Sequence, residues 1–170
     1  TKTHSRRFLL ACPESTLSTE VSYLDARQPE GEFEVLLPRE REHEYSVEQH
    51  GDYFLLLTND QAPNFRLVRC PIGQPSRAHW EELQPHDPAV LLEDVEVFQD
   101  YFVLEKRRQG LTVLEVAHWQ SGDRYEIDFP DPTYTAYLHF NPNFASKKLR
   151  YGYQSLTTPD SVYEIDLATQ

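Results

Sequence analysis

The sequence predicts an all-β fold, a partial β-propeller of about three and a half four-stranded antiparallel blades set as an open arc. Three observations carry this. Gly51-Asp52-Tyr53-Phe54-Leu55-Leu56-Leu57 recurs 48 positions later as Gln99-Asp100-Tyr101-Phe102-Val103-Leu104, and self-similarity at a fixed period marks repeat architectures. Phe8-Leu9-Leu10-Ala11 and Leu149-Arg150-Tyr151-Gly152-Tyr153 flank the two copies at a similar spacing. Behind each of the four comes a strand with polar residues interspersed, as in Leu111-Thr112-Val113-Leu114-Glu115-Val116 and Ser161-Val162-Tyr163-Glu164-Ile165-Asp166. A unit of four short strands every ~45 to 50 residues is the pattern of propeller blades. A β-sandwich with coincidentally similar hairpins is the alternative.

In the first unit, 1–37, strands are expected over 6–12, 21–25 and 33–37, with a polar turn over 13–20 and a second turn at Gln28-Pro29-Glu30-Gly31. The strand before them is missing, as if the chain began inside a blade. Pro38-Arg39-Glu40-Arg41-Glu42-His43-Glu44-Tyr45 alternates charge with almost no apolar content, so it is expected to cross a surface between units. The second unit, 45–83, runs through strands at 45–47, 53–58, 64–70 and 80–83. The runs at 53–58 and 101–106 lack polar alternation, which predicts cover on both faces.

The third unit, 90–129, repeats the plan with strands at 90–98, 101–106, 111–118 and 124–129. Its first strand carries acids among apolar residues, Val90-Leu91-Leu92-Glu93-Asp94-Val95-Glu96-Val97-Phe98. The innermost strand of a blade lines the central channel, so Glu93, Asp94 and Glu96 are candidates for an acidic channel wall. Facing solvent at a blade edge is their plainer role. The fourth unit, 134–167, supplies strands at 134–140, 149–156 and 162–167 and no outermost strand.

Composition narrows the class. Hydrophobic residues at 39% and aromatics at 12% fit a globular β-rich protein, and 12 prolines against 6 glycines fit many turns. A formal charge of −12 disfavours nucleic acid or an anionic membrane surface as partner. No apolar run reaches 18 residues and no basic-then-apolar leader is present. Cys12 and Cys70 are too few for a disulfide framework and form no Cys-x-x-Cys pair; two buried free thiols are expected, which favours the cytoplasm over the periplasm.

Catalytic motifs are missing from the sequence. It has no Gly-x-Ser-x-Gly elbow and no glycine-rich phosphate loop, and His43-Glu44 is followed by Val47 where a His-Glu-x-x-His zinc motif needs histidine. Seven histidines are scattered, and Asp128 and Asp131 around Phe129-Pro130 read as turn caps rather than a carboxylate pair. No cofactor or metal is expected. Terminal blades would expose apolar faces of about 800 Å² each, so the chain is expected to need a partner, either the rest of its own propeller or a second copy.

Leu149-Arg150-Tyr151-Gly152-Tyr153-Gln154-Ser155-Leu156-Thr157-Thr158-Pro159-Asp160-Ser161-Val162-Tyr163-Glu164-Ile165-Asp166 resembles the last propeller blades of the prolyl oligopeptidase family. Gly31-Glu32-Phe33-Glu34-Val35-Leu36-Leu37-Pro38-Arg39-Glu40-Arg41-Glu42-His43-Glu44-Tyr45 is similar to its oligopeptidase B (protease II) branch, and the resemblance extends over essentially all 170 residues. It implies a parent enzyme in which a seven-bladed propeller caps an α/β-hydrolase domain with a Ser-Asp-His triad, cleaving short peptides after Arg or Lys. This chain corresponds to about the latter half of that cap, without the hydrolase domain. No catalytic residue carries over. What the resemblance implies for the cap is exclusion of folded proteins and steering of basic oligopeptides, with Glu93, Asp94 and Glu96 contributing to the field. The competing expectations are a standalone module that closes by homodimerisation and, less simply, an independent hydrolase.

Overall fold

The computed structural model describes residues 1–15 and 18–169. Among them the fold is all-β, with one short 3₁₀ turn at Arg77–His79 and no helix long and apolar enough to cross a membrane. The chain divides into two compact units, Thr1–Asp87 and Pro88–Gln170, each built on two larger antiparallel sheets.

In the first unit, β1 (Phe8–Ala11), β4 (Ser22–Asp25) and β5 (Glu34–Val35) form one sheet in that order. β6 (Tyr45–His50), β7 (Tyr53–Thr58), β8 (Arg66–Pro71) and β9 (Glu81–Gln84) form the other. Phe8, Leu10 and Tyr23 from the first meet Phe54, Leu56 and Val68 from the second in one core. The rings of Phe8, Tyr23 and Phe54 pack within 4.9–5.7 Å of one another at tilted or edge-on angles, which such rings prefer over a face-to-face sandwich. Leu55 and Leu57, on the opposite face of β7, are 1% and 5% exposed. The central strand is therefore covered on both faces, as its lack of polar alternation predicts.

In the second unit, β10 (Val90–Val97), β11 (Tyr101–Arg108), β12 (Leu111–His118) and β13 (Arg124–Glu126) form a four-stranded sheet. β14 (Tyr134–Leu138), β15 (Lys148–Ser155) and β16 (Ser161–Asp166) form a three-stranded one. Their facing sides bury Val103, Leu114, Val116 and Leu149, with Tyr151 and Ile165 packed against them. β11 and β12 turn through Gln109-Gly110, both left-handed at φ 52° and 82°, the pairing that a two-residue hairpin turn of matching twist requires.

The larger sheets thus carry three, four, four and three strands among the described residues, as the repeat predicts. Several strand ends shift, with the expected strands 124–129 and 134–140 ending at Glu126 and Leu138, and four further details differ. Residues 1–3 run antiparallel beside β1 through a Lys2–Leu9 bridge, with Thr3 N donating to Phe8 O at 3.0 Å and Leu10 N to Thr1 O at 3.0 Å; the first sheet holds a remnant of the strand expected to be missing. The polar stretch 13–20 forms a small hairpin, β2 (Glu14–Ser15) with β3 (Ser18–Thr19), while Thr16 and Leu17 of that expected turn lie outside the described residues. Strand 33–37 shortens to two residues because Leu36 and Leu37 turn into the core at 2% and 4% exposure. Cys12 is exposed, contrary to expectation, and only Cys70 is buried.

Candidate functional site

The acidic residues singled out in sequence all come from β10. Its apolar residues Leu92, Val95 and Val97 are buried, and the irregular spacing of that set has a cause. The register against β11 slips between Leu92 and Asp94, leaving Glu93 as the extra residue of a bulge. Released from the ladder, Glu93 meets Arg107 of β11, whose Nε and Nη2 donate to its two carboxylate oxygens at 2.9 and 3.0 Å. Its negative charge is paired in a bidentate arrangement.

Beyond the bulge, Asp94 stands opposite Glu105 and Glu96 opposite Val103. Residues directly opposite share one face of a sheet, so two carboxylates sit side by side, an arrangement that repels. Glu105 spends one oxygen on the edge of the neighbouring sheet, where Leu138 N of β14 donates to its Oε2 at 2.8 Å. Burial first, then the charges of Asp94 and Glu93, hold the Glu105 carboxyl above its usual range. Asp94 is exposed by area yet crowded by protein on one side. That crowding, with the charge of Glu96, raises its carboxyl too, against the Val95 N–H that donates to its Oδ1 at 2.8 Å. Solvent contact limits the size of that rise.

Glu96 takes a long contact of 3.5 Å from Nδ2 of Asn141. Asn141 is 7% exposed and works as a strand extender: Arg150 N donates to its Oδ1 at 2.7 Å, and its Nδ2 donates to His139 O at 2.7 Å and Arg150 O at 3.1 Å. One face of β10 and β11 therefore gathers Asp94, Glu96 and Glu105, with Glu93 diverted into an ion pair. Glu105, Arg107 and Asn141 were missed in sequence. For Glu105 a signal existed: counting back from the Gln99-Asp100 turn pairs residue 105 with residue 94.

A separate cavity of about 450 Å³ in the same unit is lined by Tyr101, His118, Ser121, Asp123, Tyr125 and Leu167 among others. Tyr125 donates its hydroxyl to Leu167 O at 2.9 Å, and Ser121 N donates to His118 Nδ1 at 3.0 Å, which puts the neutral ring's proton on Nε2. None of the three acids predicted from sequence lines this cavity. Among the described residues no group of three or more His, Cys, Asp or Glu is disposed to hold a metal ion. Asp131 accepts from the side chains Tyr153 Oη at 2.6 Å and Thr157 Oγ1 at 3.2 Å.

Comparison with known proteins sets this geometry in a family. The sequence matches the family described as "Prolyl oligopeptidase, N-terminal beta-propeller domain" over residues 1–170. It is 35% identical over 164 residues to a dipeptidyl aminopeptidase BI of Pseudoxanthomonas mexicana, covering 96% of this chain and 22% of that protein. With a protease 2 of Moraxella lacunata it shares 27% identity over 168 residues, covering 99% of this chain and 24% of the other. Among solved structures, oligopeptidase B from Leishmania major superposes with a TM-score of 0.90 at 28% identity, covering 99% of this chain and 25% of that one. Oligopeptidase B from Trypanosoma brucei with covalently bound antipain does so with a TM-score of 0.89 at 29% identity and the same coverage. The chain thus spans about a quarter of the length of these relatives. Repeat, strand count and match over its whole length agree: this chain belongs to the prolyl oligopeptidase family and is part of its N-terminal β-propeller domain.

Proposed function

We propose that the chain is a non-catalytic cap segment of a serine oligopeptidase that cleaves short peptides after Arg or Lys. The cap gates access to a buried active site, admitting extended peptides and excluding folded proteins. The observation that carries this reading is the likeness to oligopeptidase B over 99% of the chain, one example of which is solved with covalently bound antipain. The formal charge of −12 and the acidic face of β10 and β11 support preference for cationic substrates.

Within that reading, Asp94 and Glu96 contribute most of the steering field, and Glu93 less, because Arg107 cancels much of its charge. Neutralising all three in the full-length enzyme should lower kcat/KM for Arg-containing peptides, most at low salt; an unchanged salt dependence would remove the acids from the account.

The deciding experiment compares hydrolysis of a fluorogenic Arg-Arg peptide by this chain and by the full-length protein containing it, each with and without a serine-reactive phosphonate. Activity confined to the full-length protein and abolished by the phosphonate is expected. Inhibitor-sensitive turnover by the 170-residue chain alone would overturn the reading.

A second reading, a self-associating β-propeller module, draws on exposed apolar side chains. Leu9, Phe33 and Val35 in the first unit are 39–51% exposed, and Val162 and Tyr163 in the second are 54% and 42% exposed. Surfaces of this kind call for a partner, which is either the rest of the propeller or a second copy. Light scattering on the isolated chain separates monomer from dimer.

A further inference from the structure

The segment joining the two sheets of the first unit, residues 38–44, carries one buried histidine. His43 is 4% exposed, with its ring centroid 5.0 Å from that of Tyr45. Its Nε2 lies 2.9 Å from Thr58 Oγ1 at the end of β7, and its Nδ1 lies 3.4 Å from Nη2 of Arg77 on the 3₁₀ turn. A guanidinium only donates. Nδ1 is therefore the acceptor, and the neutral ring carries its proton on Nε2 and donates it to Thr58.

Arg77 is itself fixed, donating to both Glu40 oxygens at 2.8 and 3.0 Å and from Nε to Asp60 at 3.0 Å. Asn59 closes the same joint. Its Nδ2 donates to Glu42 O at 3.0 Å, its Oδ1 accepts from Glu44 N at 2.9 Å, and its own N–H donates to Glu44 O at 3.1 Å. The charged or titratable groups around the ring are Glu40 on its own segment, Tyr45 on β6, Asp60 after β7 and Arg77 on the 3₁₀ turn. Burial first and Arg77 second favour the neutral ring, and they outweigh the opposing pull of Asp60 and Glu40.

We propose that His43 is a pH-sensitive latch on residues 38–44: protonation of Nδ1 turns the acceptor of the Arg77 hydrogen bond into a donor, sets a buried cation against the partly exposed Arg77, and loosens the segment from Thr58, Asn59 and Arg77. The proton comes from solvent and no covalent bond changes. The folded state favours the neutral ring more than the unfolded chain does. The latch therefore holds fully above the ordinary histidine range, about pH 6.5, and weakens as pH falls below it. This inference is independent of the peptidase reading.

Hydrogen exchange of the full-length protein containing the chain tests it, read as protection of the Glu44 and Asn59 amides after correction for intrinsic rates. Protection should fall several-fold between about pH 7.5 and about pH 5 in the wild type. In His43→Gln, whose carboxamide donates to Thr58 and accepts from Arg77 without titrating, protection should stay flat. Arg77→Gln, which removes the facing cation and leaves burial in place, should shrink the dependence without abolishing it. A wild type whose protection does not change over that range, or a His43→Gln or Arg77→Gln variant that keeps the wild-type dependence, overturns the latch.

Discussion

The ring of Tyr137 lies across Gly152, its register partner on the neighbouring strand, so that a Cβ at residue 152 would fall inside the ring at Cζ, Cε1 and Cε2. Glycine leaves a hole in a sheet surface, and an aromatic on the paired strand fills it. Tyr137 also donates its hydroxyl to Asp160 Oδ1 at 3.2 Å. Gly152→Ala should therefore expel the ring and cost about 1–2 kcal/mol, an overpacking penalty. In Tyr137→Ala the same alanine should be nearly neutral. A double-mutant cycle by urea unfolding measures the coupling, and additivity of the two substitutions would show that ring and glycine do not depend on each other.

The Asp94–Glu105 pair gives a stability prediction with a definite sign. Both carboxyls are raised by the fold, so the folded chain takes up protons more readily than the unfolded one. The repulsion is present at neutral pH and is relieved as pH falls through the raised values. Asp94→Asn should then stabilise by about 0.5 kcal/mol at pH 7, a rise in Tm of about 1–2 °C. The gain should shrink by about pH 4, as protonation of the raised carboxyls relieves the repulsion in the wild type. Calorimetry at the two pH values decides it, and an equal gain at both would locate the effect in packing instead.

How legible the chain is depends on whether a residue's neighbours are local. β7 and β12 coincide end for end with their sequence boundaries, Tyr53–Thr58 and Leu111–His118, because hairpin turns and apolar runs are short-range signals. The bulge at Glu93 has no such signature, and without it Arg107 cannot be recognised as that residue's partner. His43 was the harder case. Its immediate neighbours Glu42 and Glu44 are exposed, and charge alternation around it suggests a solvated crossing. Its burial is decided by Thr58, 15 residues on, and Arg77, 34 residues on.

Asn141 should behave as a structural keystone of the last sheet. Its carboxamide satisfies Arg150 N, Arg150 O and His139 O while buried. Truncation takes the partner from Arg150 N and His139 O, while Arg150 O keeps its bond from His139 N at 3.2 Å, and a buried unsatisfied group costs about 1–3 kcal/mol. Asn141→Ala should lower the urea midpoint by an amount equivalent to about 2 kcal/mol. Asn141→Asp restores only the acceptor and adds a charge near Glu96, so it should be destabilised at neutral pH and partly rescued in acid.

The two cysteines should differ sharply in reactivity. Cys70 lies in the core of the first unit at 0% exposure, and burial pushes its thiol up to about 11. The thiolate is the reactive species, so this sulfur is doubly protected, by access and by protonation. Cys12 is exposed beyond β1 and forms no disulfide. A thiol reagent at pH 8 should label one sulfur per native chain quickly and the second only as the core opens. The slow phase then reports the opening of the Phe8–Phe54–Cys70 core. Phe54→Ala, which removes a fully buried ring at a cost of about 3–5 kcal/mol, should speed that phase by orders of magnitude and leave the fast one alone. Two fast phases in the native protein would mean that Cys70 is not sealed in the core.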